Sequence, residues 1–99
     1  MSQLVKIKIE DENGKILKHH FLRADNYDLP AGQIEENETP IQAATRELVE
    51  RTGYKIDESN LQQEDTEGEF MVFMGKKKDL VKISNPGEKG GYATDIRWE

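Results

Sequence analysis

Residues 29–54, LPAGQIEENETPIQAATRELVERTGY, gather the side chains of this sequence best suited to chemistry. Glu47 and Glu50 lie close together, Arg46 and Arg51 flank them, and Glu38 precedes them in a polar loop. On a helix, positions i and i+3 share a face, so the two carboxylates can meet around one cation. Without a cation they repel. Magnesium accepts one or two protein carboxylates and fills its shell with waters and phosphate oxygens. The planar fork of Arg51 suits direct contact with a phosphate. Taken alone, the same residues also read as a solvated helix face with charge pairs such as Glu47–Arg51 at i, i+4.

The elements that must position these groups are legible around them. Thr39 is a good N-cap, Pro40 suits the first helical position, and Gln42 stands where a capping box wants Glu or Gln. Gly53 closes the helix as a left-handed C-cap. At ~100° per residue, Ile41, Ala44 and Leu48 form one stripe, with Ala43, Glu47 and Glu50 roughly opposite. One face is expected in the core, the other to offer carboxylates. Upstream, LVKIKIE (residues 4–10) alternates with the period of a half-buried strand, and the Asn13-Gly14 pair predicts a hairpin back through KILKHHFL, giving a hairpin over 4–22. Residues 23–28 read as loop and 29–32 as a turn. Downstream, residues 57–69 read as loop, while FMVFMGK (70–76), LVKIS (80–84) and part of GGYATDIRWE supply strands over 70–98. The order is several antiparallel strands with one helix inserted, an α+β pattern.

Gly32, Glu38, Arg46, Glu47, Glu50 and Gly53, with Leu48 and Tyr54 in apolar slots, together resemble the Nudix box over residues 32–54. With each fixed residue type at roughly 5–10% abundance, six such matches arise by chance in fewer than about one register in a million. YDLPAG resembles the lead-in to that box, and TDIRWE the segment before the family's second helix. The resemblance implies one Nudix domain over 1–99: the α/β/α fold in reduced form, a small mixed sheet with the box helix, its second helix missing because the sequence stops at Glu99. It implies a magnesium- or manganese-dependent hydrolase that cleaves the pyrophosphate of a nucleoside diphosphate linked to another moiety. Pro-Ala-Gly leans towards nucleotide sugars of the ADP-ribose type, nucleoside triphosphates being the other class. By resemblance Glu50 is a metal ligand and Glu47 a ligand or the general base. Arg46 pairs with Glu38 or Glu47, and the carbonyl of Ala31 or Gly32 is a further candidate ligand. Gly32, Glu38 and Gly53 are structural within the motif. Glu88 is the candidate for the family's distant acidic ligand, with Asp95 second. Arg51 departs from the pattern, for the family usually has a second glutamate there. That exchange predicts weaker metal binding, a direct phosphate contact, or a catalytically inactive Nudix module that binds a nucleotide or a protein.

Composition narrows the remaining classes. The 99 residues, 34% hydrophobic and 34% charged, predict one domain with a thin core. A net charge of -6 argues against a broad nucleic-acid surface. The sequence has no cysteine, no signal-like N-terminus and no long apolar run, a pattern compatible with the cytoplasm and without a membrane partner. Loss of a second helix is expected to expose an apolar sheet face, and hence to favour a homodimer. Arg23 and Tyr27 are candidate contacts to base or sugar of a nucleotide-derived substrate. Neighbours on a strand face opposite ways, so His19 and His20 cannot jointly chelate. Lys76–Lys78 reads as a soluble turn, and Trp98 as core or interface.

Overall fold

Alternation of Val5, Ile7 and Ile9 with polar residues makes the first strand, β1 (Leu4–Glu10), the centre of the molecule. All three of those side chains are fully buried. The computed structural model describes residues 4–21, 26–85 and 93–99. After β1 come β2 (Leu17–Phe21), β3 (Asn26–Asp28), β4 (Ala31–Gln33), the helix α1 (Pro40–Thr52), β5 (Tyr54–Lys55), β6 (Gln62–Gln63), β7 (Phe70–Lys76), β8 (Val81–Lys82) and β9 (Ala93–Trp98). One sheet has the order β4-β1-β7-β6, a second β3-β2-β9, and β5 with β8 forms a third small pair. This is the expected mixed-sheet α+β fold with one helix.

The strand order brings two corrections. The chain does turn at Asn13-Gly14, with Asp11 Oδ1 accepting from the amides of Asn13 and Lys15 at 2.8 Å each. The hairpin, however, opens after a single bridge between Glu10 and Ile16. Ile16 then exchanges both backbone bonds with Glu99, so β2 joins β9 instead of β1. Both edges of β1 are taken, by antiparallel β4 and by parallel β7 over seven residue pairs from Leu4↔Phe70 to Glu10↔Lys76. The antiparallel order read for several of the strands does not extend to the centre of this mixed sheet, where the long connection through α1 permits β7 as a parallel neighbour of β1. Several two- and three-residue strands (β3, β4, β6, β8) fall where loop, turn or a longer strand was expected.

The core clusters Val5, Ile7, Ile9, Leu17, Ala43, Ala44, Leu48, Ile56, Leu61 and Phe73 between sheet and helix, with Trp98 packed half-buried against it. On the other face of the sheet the β1 residues are Leu4, Lys6, Lys8 and Glu10, and Lys6 Nζ sits 4.3 Å over the Phe70 ring. That face is thus partly covered by lysine stems rather than bare. The large hydrophobics that stand exposed among the described residues are Val81 and Ile83, at 61% and 46%. Among those residues no helix is long and apolar enough to cross a membrane.

Candidate functional site

The helix that carries the carboxylates is closed at both ends as its sequence requires. The Thr39 amide donates to Gln42 Oε1 at 2.9 Å while Gln42 N–H donates to Thr39 Oγ1 at 3.3 Å, satisfying two otherwise orphaned donors. Gly53 takes φ 79°, its amide donates to the Val49 carbonyl at 2.9 Å, and its carbonyl accepts from Ile83. A side chain at Gly53 would also strike the Ser84 backbone.

The helical faces differ from the sequence expectation. Ala43 is fully buried and Glu47 is 5% exposed, so their side of the helix is not a solvated one. It lies against β4, where a Cβ on Gly32 would overlap the Glu47 carboxylate. Glycine at 32 therefore leaves room for a carboxylate to rest on the backbone of the strand. Glu50, a quarter exposed, lies farther out.

Arg46 ties these groups together. Its Nε donates to Glu38 Oε2 at 2.8 Å, and its Nη2 to Glu38 Oε1 at 3.0 Å and to the Gln33 carbonyl at 2.8 Å. Nη1 donates to Glu47 Oε1 and to Glu50 Oε1, both at 2.9 Å. All five guanidinium hydrogens are thus engaged. The pairing foreseen with Glu38 or Glu47 is made with both. Arg46 holds the Glu38 carboxyl below its usual range, chiefly through their hydrogen bonds, and the Arg46 ionisation is raised in turn. Glu35 Oε1 approaches Nε at 3.1 Å. Glu35 and the Gln33 carbonyl had no signal in the sequence: one was part of an acidic run, the other is a backbone atom.

Arg51 donates from Nε to Glu47 Oε2 at 3.1 Å, one turn away. Its side chain, with those of Arg46 and Glu47, lines a cleft of 330 Å³ together with Gly32, Gln33 and Glu35. His19 on β2 is fully buried; burial first, and the charge of Arg51 second, push its pKa down to about 4. His20 faces the other way and packs on Tyr27, ring centroids 5.2 Å apart, as strand geometry demands.

The other candidates are distributed differently. Arg23 and Glu88 lie outside the described residues. Tyr27 donates its hydroxyl to Asp95 Oδ2 at 2.8 Å and carries Arg97 over its ring at 3.9 Å. That hydrogen bond holds the Asp95 carboxyl low and the Tyr27 phenol high. Of the lysines in the 76–78 turn, Lys76 pairs with Glu10 at 3.3 Å and Lys77 sits 4.9 Å over Trp98.

Whether the donors fit a hard divalent ion is decided by Glu47 and Glu50. Their Oε1 atoms converge on one point, now at Arg46 Nη1. A carboxylate offers about four lone-pair sites; Glu47 spends two on guanidinium hydrogens and Glu50 one. Oxygen donors with spare lone pairs, converging beside an open cleft, fit one ion that takes its remaining ligands from water and phosphate. Among the described residues no group of three or more His, Asp or Glu gathers to hold a metal.

These features define a small α+β protein whose mixed sheet presents a helix-borne carboxylate–guanidinium cluster. A MutT structure described for Aliivibrio salmonicida and Vibrio cholerae superposes with TM-score 0.72 at 17% identity, over 98% of this chain and 77% of that one. A NUDIX-family hydrolase from Clostridium perfringens gives 0.65 at 18% identity, over 97% and 79%. A MutT/nudix family protein from Enterococcus faecalis gives 0.67 at 20% identity over 98% of this chain, which spans 42% of that protein's length. No curated protein matches. The NUDIX domain family model matches residues 5–98, and the chain belongs to the Nudix family.

Proposed function

We propose that the protein is a single-domain Nudix hydrolase acting on a nucleoside diphosphate linked to another moiety, with nucleotide sugars favoured over nucleoside triphosphates. In this reaction water attacks one phosphorus and the bridging P–O bond breaks. The observation that carries the reading is the convergence of Glu47 and Glu50 on Arg46 Nη1, at 2.9 Å each, beside a cleft that Gly32 and Glu47 help to line. Nudix hydrolases generally use magnesium or manganese, and Glu47 and Glu50 are the residues that would hold such an ion here. When bound, the ion supplies Lewis-acid stabilisation of a phosphoryl oxygen and a more acidic water.

The chain's own residues divide the remaining work. Glu47 is fixed by two guanidinium groups and by its seat on Gly32, which suits a ligand whose position must not drift. Glu50 keeps Oε2 without a hydrogen bond among the described residues, so it is the carboxylate with most capacity for a new partner. Arg46, with every donor engaged, is a positioning residue that binds the loop at Glu38 to the helix.

A second reading has its own observation. Both oxygens of Glu47 are already held by arginines, as in a site that binds a nucleotide without turning it over. Screening nucleoside triphosphates, ADP-ribose and dinucleoside polyphosphates with magnesium or manganese, beside Glu50→Gln, separates the two. Turnover that falls about 100-fold or more in the variant is expected. Turnover unchanged in Glu50→Gln refutes the role given to Glu50. No turnover of any substrate, with nucleotide still bound, establishes the binding module.

A further inference from the structure

We propose that Arg51 is a built-in cation of this site: it occupies the place of an additional divalent ion and binds a phosphate oxygen of the substrate, so that the chain takes up one divalent ion. The inference rests on the diphosphate reading above and specifies how the charge is met.

Two arginines reach the cluster, and their hydrogen bonding sets them apart. Arg46 spends all five hydrogens on Glu38, Glu47, Glu50 and the Gln33 carbonyl, leaving nothing for a ligand. Arg51 spends one, from Nε to Glu47 Oε2. Among the described residues its two terminal nitrogens have no hydrogen-bond partner. Four polarised N–H groups are therefore presented by a side chain that is only 18% exposed and lines the cleft. A planar fork in that state matches two oxygens of a phosphate, and part of the entropy of holding it is already met by the bond to Glu47.

Charge leads to the same assignment. Glu47 and Glu50 contribute two negative charges at the convergence point, and Arg46 and Arg51 two positive ones. A carboxylate at position 51 would leave that group at minus two, where the observed residue leaves it neutral. Glu38 and Glu35 both pair with Arg46 Nε, away from Nη1, and Glu35 also lines the cleft. One divalent ion with the substrate's phosphates then suffices, and the added guanidinium charge of Arg51 disfavours a second. His19, buried nearby and held neutral above about pH 4, adds no competing positive charge.

Two binding measurements on the whole protein test this. In manganese titrations followed by electron paramagnetic resonance, wild type is expected to bind one ion per chain, and Arg51→Glu to bind a second or to bind at least tenfold tighter. A second ion on wild type, or an Arg51→Glu titration that matches wild type, overturns the proposal. In calorimetry with inorganic pyrophosphate and a chelator, Arg51→Gln is expected to weaken binding about tenfold and Arg51→Lys about threefold. Equal affinity of wild type and Arg51→Gln overturns the proposal, and circular dichroism of the same samples verifies the fold. Failure of the hydrolase reading looks different: pyrophosphate binding stays sensitive to Arg51→Gln, supporting Arg51, while no nucleotide is hydrolysed.

Discussion

At the scale of single residues, the site is a set of close approaches. Gly32 is required because the Glu47 carboxylate lies where its side chain would be. Gly32→Ala is expected to push that carboxylate off the strand, costing about 1–3 kcal/mol in urea denaturation and weakening manganese binding. A variant as stable as wild type with unchanged metal affinity would show that Glu47 can rest elsewhere. Arg46 has the larger structural burden, since its removal takes a partner from Glu38, Glu47 and Glu50 at once and leaves Glu47 with Arg51 alone. Arg46→Ala is expected to destabilise by on the order of 3 kcal/mol, read from the same denaturation curves. The motif residues themselves were legible from type and spacing. That Glu47 is buried was not, because its burial depends on β4 lying across it, a contact between residues distant in the chain.

At the scale of elements, what was legible follows the range of the forces involved. The helix bounds at Thr39 and Gly53 came directly from the sequence because capping is decided within a few residues. Alternation likewise located β1, and a continuous apolar run located β7. Partners were another matter: Asn13-Gly14 specifies a turn, but not that β2 leaves β1 to pair with β9. Strands of two or three residues are too short to carry a period. Thr39→Ala is expected to cost about 1 kcal/mol of stability, as it removes the acceptor for the Gln42 amide. Thermal melting checks this. Because α1 carries Glu47 and Glu50 from its middle and last turn, a first turn that frays should alter metal affinity little, a separation calorimetry can measure.

At the scale of the whole molecule, acidity and association are the accessible properties. The unfolded chain protonates His19 near pH 6.5 and the folded one near pH 4. Between those values the unfolded state binds more protons, so stability falls as pH drops through that window, by about 3 kcal/mol in all from this group. Glu38, held low by Arg46, adds a further loss as pH falls below the ordinary carboxylate range. Melting temperatures of His19→Gln are expected to decline less steeply than wild type between pH 6.5 and 4; parallel curves would show that His19 is not the sensor. For the proposed homodimer, the exposed large hydrophobics among the described residues are Val81 and Ile83. With both changed to lysine, the chain is expected to sediment as the 11.4 kDa species. Wild type behaving the same way at micromolar concentration would remove the dimer. The parallel ladder between β1 and β7 has a consequence for synthesis. The rung partners of Leu4–Glu10 are Phe70–Lys76, so a ribosome delivers the carboxylate-bearing helix well before the strand that completes the sheet beneath it. The nascent protein carries the carboxylates of α1 before that strand is made, and non-local pairing of this kind slows folding.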